Sequence, residues 1–183
     1  MSDLPAAAAV AMLLDKSDIA DLLARYMRAI DRGDIEALRA CYAPGATEEH
    51  GGIYAGPAQG YIDTIAGALT NPRLVATHTI SNVLVEVDGD TARSEHYVLA
   101  LTRARSDGVV SDSLVATRIV DDLVRLDRGW AISRRRLRFD WAHDIGPRPD
   151  RWLYGRRDPA TLLHSAKYPD DIIYEATRAE AVR

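Results

Sequence analysis

This chain of 183 residues has a single cysteine, Cys41, which excludes an internal disulfide and a cysteine metal cluster. It has no apolar run long enough to cross a bilayer. The alanine-rich AAAAVAMLL is short and is flanked by Asp3 and Asp15. No early segment combines a basic start, an apolar stretch and a cleavage site, so the protein reads as cytoplasmic, with no membrane partner. Positive charge is not in surplus either. Lys and Arg number 23 against 27 Asp and Glu, a net −4, which argues against nucleic acid as the partner. The one basic run, Arg134, Arg135, Arg136 and Arg138, would be split between two faces by the period-2 alternation of a strand. There is no Gly-rich phosphate loop, since VDGDTA reads as a turn. G-x-S-x-G, S-x-x-K, H-x-H and H-E-x-x-H are all absent. Acid–base chemistry without metal or cofactor is the enzyme reading left.

The length suits one domain over 1–183, able to bury about 70% of its unfolded surface. No internal repeat or linker divides it. Residues 5–14 read as a short helix or a frayed arm. Ser17 then reads as the N-cap of a second helical run, with Asp18 and Asp21 in its first turn. Ile19, Leu22, Leu23, Tyr26, Met27 and Ile30 recur at helical spacing as one apolar face. Asp34 is placed to cap a helix through Leu38 and Tyr42 that ends at Pro44-Gly45. Gly56-Pro57 introduces another, over 57–69. The pattern then changes to long stretches rich in Val, Ile, Thr and aromatics, over 74–87, 91–104, 110–126 and 130–143. Asp88-Gly89 and Asp127-Arg128-Gly129 are hairpin signals between them. Helices followed by an antiparallel meander predict an α+β fold, a curved sheet closed round about three helices as a cone with an apolar interior. The core is expected over about 15–142, with 143–183 an irregular extension punctuated by Pro147, Pro149, Pro159 and Pro169. Trp152, Leu153, Tyr154, Leu162 and Leu163 would pack that extension on the cone mouth or on a neighbouring subunit.

Asp31 ends a helical run, where the helix dipole disfavours a negative charge by about 0.3–1 kcal/mol. Departures of this kind often mark sites. The plainer reading is a surface Asp in the turn Asp31-Arg32-Gly33. His78 lies on an otherwise apolar strand and is either a satisfied core histidine or a general base. A nearby carboxylate would fix its tautomer and strengthen it as a base near neutral pH, and Asp31 is the candidate partner. His96 sits on the next strand. If residues summing to about 177 pair through the Asp88-Gly89 turn, it lies roughly one row from His78. His50, His143 and His164 are less informative; Glu48, Glu49 and His50 read as an exposed loop before a metal corner. In WAISRRRLRFDWAH the alternation puts Ala131, Ser133, Arg135, Leu137, Phe139 and Trp141 on one face. An arginine there needs an anionic partner. The choices are Asp31, an anionic substrate, charge developing on a leaving group, or a structural ion pair with Asp121 or Asp122. Tyr26 is about 140° from Asp31 round the helix, so the two share a site only at the helix end. Its phenol is either core or, in a cavity, a catalytic acid or hydrogen-bond donor.

The chain resembles the SnoaL-like branch of the nuclear transport factor 2-like superfamily. The resemblance rests on DIADLLARYMRAIDRGDIEALRACYAPGA, then Gly-Pro with a helix, THTISNVLVEVDGDTA and RGWAISRRRLRFDW, over roughly 15–142. It implies a cone-shaped α+β barrel and homo-oligomers, a trimer rather than a dimer. Lyases of this superfamily, the scytalone dehydratases, hexachlorocyclohexane dehydrochlorinases and bile acid 7α-dehydratases, resemble this chain in pairing an Asp ending the first long helix with a His on the following strand. Those positions match Asp31 and His78. The bile acid dehydratases also match Tyr26, and the dehydrochlorinases match Arg135 through W-x-x-S-x-R. His96 is a looser match to a second catalytic His of scytalone dehydratase. The same superfamily holds polyketide cyclases, ketosteroid isomerase, formaldehyde-releasing lyases of lignin-derived diaryl compounds and binding domains, so fold alone does not settle function. The expectation is a lyase without cofactor. It would act on a small hydrophobic aromatic or alicyclic compound by β-elimination or retro-aldol release of formaldehyde. The pocket would be lined by Tyr42, Tyr54, Leu137, Phe139 and Trp141. The alternatives are a non-catalytic binding module and an isomerase or cyclase.

Overall fold

The structure, a computed structural model, describes residues 5–149, 164–171 and 174. One unbroken helix, α1, runs Ala6–Arg32. The expected break at Ser17 is absent: the preceding Ala, Leu and Met residues are strong helix formers and carry the helix through it. Ile19, Leu22, Leu23, Tyr26, Met27 and Ile30 do form the buried face. Gly33, with φ 67°, ends the helix in the left-handed conformation. Asp34 caps α2, Ile35–Ala40, by accepting the Ala37 N–H at 3.0 Å.

The predicted α2 is cut short. Tyr42 begins a strand, β1 (Tyr42–His50), which pairs back with β2 (Tyr54–Pro57). Arg128, in the last hairpin turn, donates to the carbonyls of Ala40 and Tyr42 and ties down this change of direction. α3 spans Ala58–Leu69, as the sequence predicts. The four long strands are β3 (Leu74–Asp88), β4 (Thr91–Ser106), β5 (Val109–Leu126) and β6 (Gly129–Pro149). The last continues past the expected end, through Pro147. The sheet order is β2-β1-β6-β5-β4-β3, antiparallel except for the β1–β6 pair. This is the expected α+β fold: three helices at the start of the chain, laid against a curved six-stranded open sheet.

Irregularities in the strands decide which side chains face inward, because one extra residue reverses the alternation beyond it. On β6 the pairing Ile132↔Leu123 is followed by Arg134↔Asp122, leaving Ser133 as the extra residue. Ile132 and Arg135 therefore both point inward, and the single face predicted for Ala131 to Trp141 is broken here. A second extra residue, Asp140, separates Phe139↔Thr117 from Trp141↔Ala116. It leaves Phe139 inward and turns Trp141 outward. On β3 a bulge between Ser81 and Leu84, with Asn82 at φ 53°, does the same.

Successive rows of inward side chains cross the sheet. One is Ser94, Asp121, Arg135 and Glu48, all at most 1% exposed. The next is His96, Ile119, Leu137 and His50. Beyond these lie Ile80, Val98, Thr117 and Phe139, and then His78, Ala100 and Val115. Apolar helix residues cover the interior from the other side.

Of the C-terminal extension, residues 164–171 dock on the end of α1. Tyr168 N–H donates to the Arg32 carbonyl at 2.7 Å, Lys167 Nζ to that of Asp31 at 2.9 Å, and Arg32 pairs with Asp171 at 3.1 Å. Trp152, Leu153, Tyr154, Leu162 and Leu163 lie outside the described residues.

Candidate active site

A cavity of about 300 Å3 opens between the helices and the inner sheet face. Met27, Ile30, Ile65, Leu69, Val98, Ile119 and Leu137 make most of it apolar. Its polar groups are few: Tyr26, Glu48, His50, Tyr61, His78, Thr102, Thr117 and Arg135.

His78 and Asp31 meet at its wall. Asp31 Oδ1 lies 2.6 Å from His78 Nδ1, and Asp31 Oδ2 accepts the His78 backbone N–H at 3.1 Å. The carboxylate thus grips both the ring and the strand that carries it. This resolves the unfavourable placement of Asp31 at the negative end of α1, since two N–H donors face it. Asp31 is not a surface turn residue; its side chain is 13% exposed. With Nδ1–H donated to the carboxylate, Nε2 is the basic nitrogen of the ring.

Arg135 is fully buried and pairs with Asp121. Nε and Nη2 donate to the two carboxylate oxygens at 2.8 and 2.7 Å. Among the readings open for this arginine, the structural ion pair is the one formed. Asp31 is not its partner, and Asp122 instead takes Arg136 and Arg93 on the outer side. The pair leaves Nη1 with no hydrogen-bond partner among the described residues, although Arg135 lines the cavity. The Arg135 guanidinium lies over the Tyr26 ring at 3.8 Å, a cation–π contact that fixes its plane. Burial pushes the Tyr26 phenol up to about 12, against the pull of Arg135.

Glu48 and His50 are not in an exposed loop. Glu48 is 1% exposed, accepts the Tyr42 hydroxyl at 2.6 Å and lies 2.9 Å from His50 Nδ1. Tyr61 donates to His50 Nε2 at 3.1 Å, and the two rings stack 4.5 Å apart. Tyr42, now accepting from Tyr26 at 3.2 Å, sits behind the cavity wall and does not line it. The sequence reading missed this group because T-E-E-H has the composition of a loop. Its only signal was the alternation that leaves Ala46, Glu48 and His50 on one face of an extended segment.

Leu137 and Phe139 line the cavity as expected, but Tyr54 and Trp141 do not. Tyr54 packs on Tyr61 at 5.6 Å and bonds the Pro57 carbonyl, and Trp141 is 52% exposed outside. His96 is fully buried and is not a lining residue. The observed sum is 178 near His78, and the β3 bulge then separates the two histidines further, with the row of Val98 between them. Neither His96 ring nitrogen has a hydrogen-bond partner among the described residues. Burial, helped by Arg135 and opposed by Asp121, lowers its pKa to about 4. No group of three or more His, Cys, Asp or Glu among the described residues is placed to hold a metal ion. No helix among them is long and apolar enough to cross a membrane.

Solved structures resemble this fold over about three quarters of the chain. A candidate scytalone dehydratase from Novosphingobium aromaticivorans superposes with a TM-score of 0.66 at 20% identity, covering 80% of this chain and 97% of its own. A candidate aromatic ring hydroxylase from the same organism gives 0.65 at 22%, covering 73% and 94%. The type 3 hexachlorocyclohexane dehydrochlorinase from Novosphingobium barchaimii gives 0.64 at 19%, covering 75% and 94%. At such identities the likeness carries the fold and no more. No curated protein matches the chain. The SnoaL-like domain profile matches residues 11–136, more than half of the sequence, and the chain belongs to that family, within the nuclear transport factor 2-like superfamily.

Proposed function

We propose that the protein is a lyase that acts, without a cofactor, on a small hydrophobic aromatic or alicyclic compound. The observation that carries this reading is the 2.6 Å contact of Asp31 with His78 Nδ1 at the wall of an apolar cavity. A base held by a carboxylate beside an apolar cavity is suited to proton abstraction from a bound compound. Nε2 takes the proton. Taken from carbon, it leads to β-elimination of hydroxide or halide; taken from a hydroxyl, it leads to retro-aldol loss of formaldehyde. Arg135 Nη1 is the donor available for charge developing on the leaving group or carbonyl oxygen. Tyr26 supports that guanidinium with its ring, while its hydroxyl points to Tyr42. The dehydratase and dehydrochlorinase neighbours support the same class of reaction.

Mass spectrometry of the purified protein with a panel of hydroxylated aromatics and halogenated alicyclics tests this. The expected product has lost water, hydrogen halide or formaldehyde. A product of unchanged mass would make the protein an isomerase or cyclase. Binding without any product, undisturbed in His78→Gln, would make it a binding module.

The protein is also proposed to be a homo-oligomer, a trimer. On the outer sheet face Leu99, Ala116 and Trp141 are cross-strand neighbours, next to Leu101 and Leu114. Leu99, Leu101 and Trp141 are 40–52% exposed, an apolar patch of the kind that subunits cover.

A further inference from the structure

The cavity holds a second carboxylate–imidazole pair, on the opposite side from the first. His78 comes from β3, at one edge of the sheet, and Glu48 and His50 from β1, four strands away in the sheet order. Curvature brings both ends to one cavity. The pairs are built alike. In each, a carboxylate engages Nδ1, at 2.6 Å for Asp31 and His78 and 2.9 Å for Glu48 and His50. They differ at Nε2. For His50 it accepts a hydrogen bond from the Tyr61 phenol at 3.1 Å.

We infer that Glu48, His50 and Tyr61 form a subsite for a phenolic hydroxyl of the substrate, at the end remote from the carbon on which His78 works. This rests on the lyase reading for what His78 does, but the subsite binds its ligand without turnover. The Tyr61 hydroxyl is committed to His50, so its oxygen keeps lone pairs for a donor arriving from the cavity. Burial holds the Tyr61 phenol far above its usual range, so it stays protonated when the site is empty. Glu48 is enclosed and already accepts from Tyr42, which keeps it fixed on His50. A substrate O–H donates to Tyr61. Where a proton is to leave, the substrate hydroxyl passes its proton to the Tyr61 oxygen. Tyr61 passes its own to His50 Nε2. The products of that step are a substrate phenolate and an imidazolium facing the Glu48 carboxylate, with no carbon bond made or broken. The flat ring carrying the hydroxyl would lie between Leu137 and Phe139, whose ring stands edge-on to His50 at 6.1 Å. A halogenated alicyclic compound without a hydroxyl would gain nothing here. The subsite therefore selects phenols among the compound classes the cavity admits.

The test uses 4-nitrophenol and its methyl ether, 4-nitroanisole, titrated calorimetrically into the full chain. The ether keeps the ring and loses the donor. The wild type is expected to bind the phenol about tenfold more tightly, as one well-placed hydrogen bond allows. Tyr61→Phe and His50→Gln should each remove that preference. His78→Gln should keep it. Equal affinity for the two probes, a preference that survives both variants, or failure to bind either probe overturns the inference. A phenol preference in a protein that turns over no compound of the panel leaves the subsite standing and removes the lyase reading. Turnover without the preference does the opposite.

Discussion

Arg135 and Asp121 show how a charged residue can sit in an apolar interior. Both are at most 1% exposed, and the guanidinium is neutralised by two short hydrogen bonds and faced by an aromatic ring. Removing one partner leaves the other charge buried and alone. Asp121→Ala is expected to lower stability by about 3–5 kcal/mol, read from urea unfolding. His96, in the neighbouring row, predicts a dependence on pH. Its pKa is about 4 in the folded protein against 6.5 as the ordinary value, so the unfolded chain binds the extra proton first. Stability is then complete above about pH 6.5 and falls as pH drops toward 4, by about 3 kcal/mol from this residue. Arg135 and Asp121 are the charges acting on it. Replacing His96 with Leu should flatten the unfolding midpoint across that pH window; a wild type already flat there would contradict the assignment.

Among the elements, the turn after α1 positions the dyad. Gly33 has φ 67°, and a Cβ added there would lie 2.6 Å from the Leu69 carbonyl oxygen. Gly33→Ala is expected to cost about 1–3 kcal/mol of thermal stability, and to disturb Asp31 two residues earlier. That α1 end, α3 and the four long strands were legible in the sequence, because apolar spacing, Gly-Pro and Asp-Gly are local signals. So were Asp31 and His78, whose types clash with their local surroundings. Ser17 misled because a good capping residue also tolerates a helix interior when its neighbours are strong helix formers. β1 was illegible for a different reason: it is held by parallel pairing with β6, a partner some ninety residues later, so its own composition says little. The extra residues Ser133 and Asp140 were equally silent. They decide that Arg135 and Phe139 face the cavity and Trp141 does not, and nothing in the alternation announces them.

At the scale of the whole molecule, the two faces of the sheet differ. The inner one carries the cavity, and the outer one carries Leu99, Leu101 and Trp141 in the open. Light scattering of the wild type is expected to give three times the 20.1 kDa chain mass. Leu99→Glu with Leu101→Glu should reduce it to one, since buried like charges would face each other across the contact. A wild-type monomer would remove the assembly proposal and leave the contact of Asp31 with His78, which lies within one chain, as it is.

The most direct test of the account is a double-mutant cycle on kcat with Asp31→Asn, His78→Gln and the pair together, using the first compound the panel shows to be turned over. If the carboxylate works only through the imidazole it holds, each single variant should lose about 10²–10⁴ in kcat, and the double should be no worse than the poorer single. Losses that multiply, or an Asp31→Asn enzyme with wild-type kcat, would contradict it.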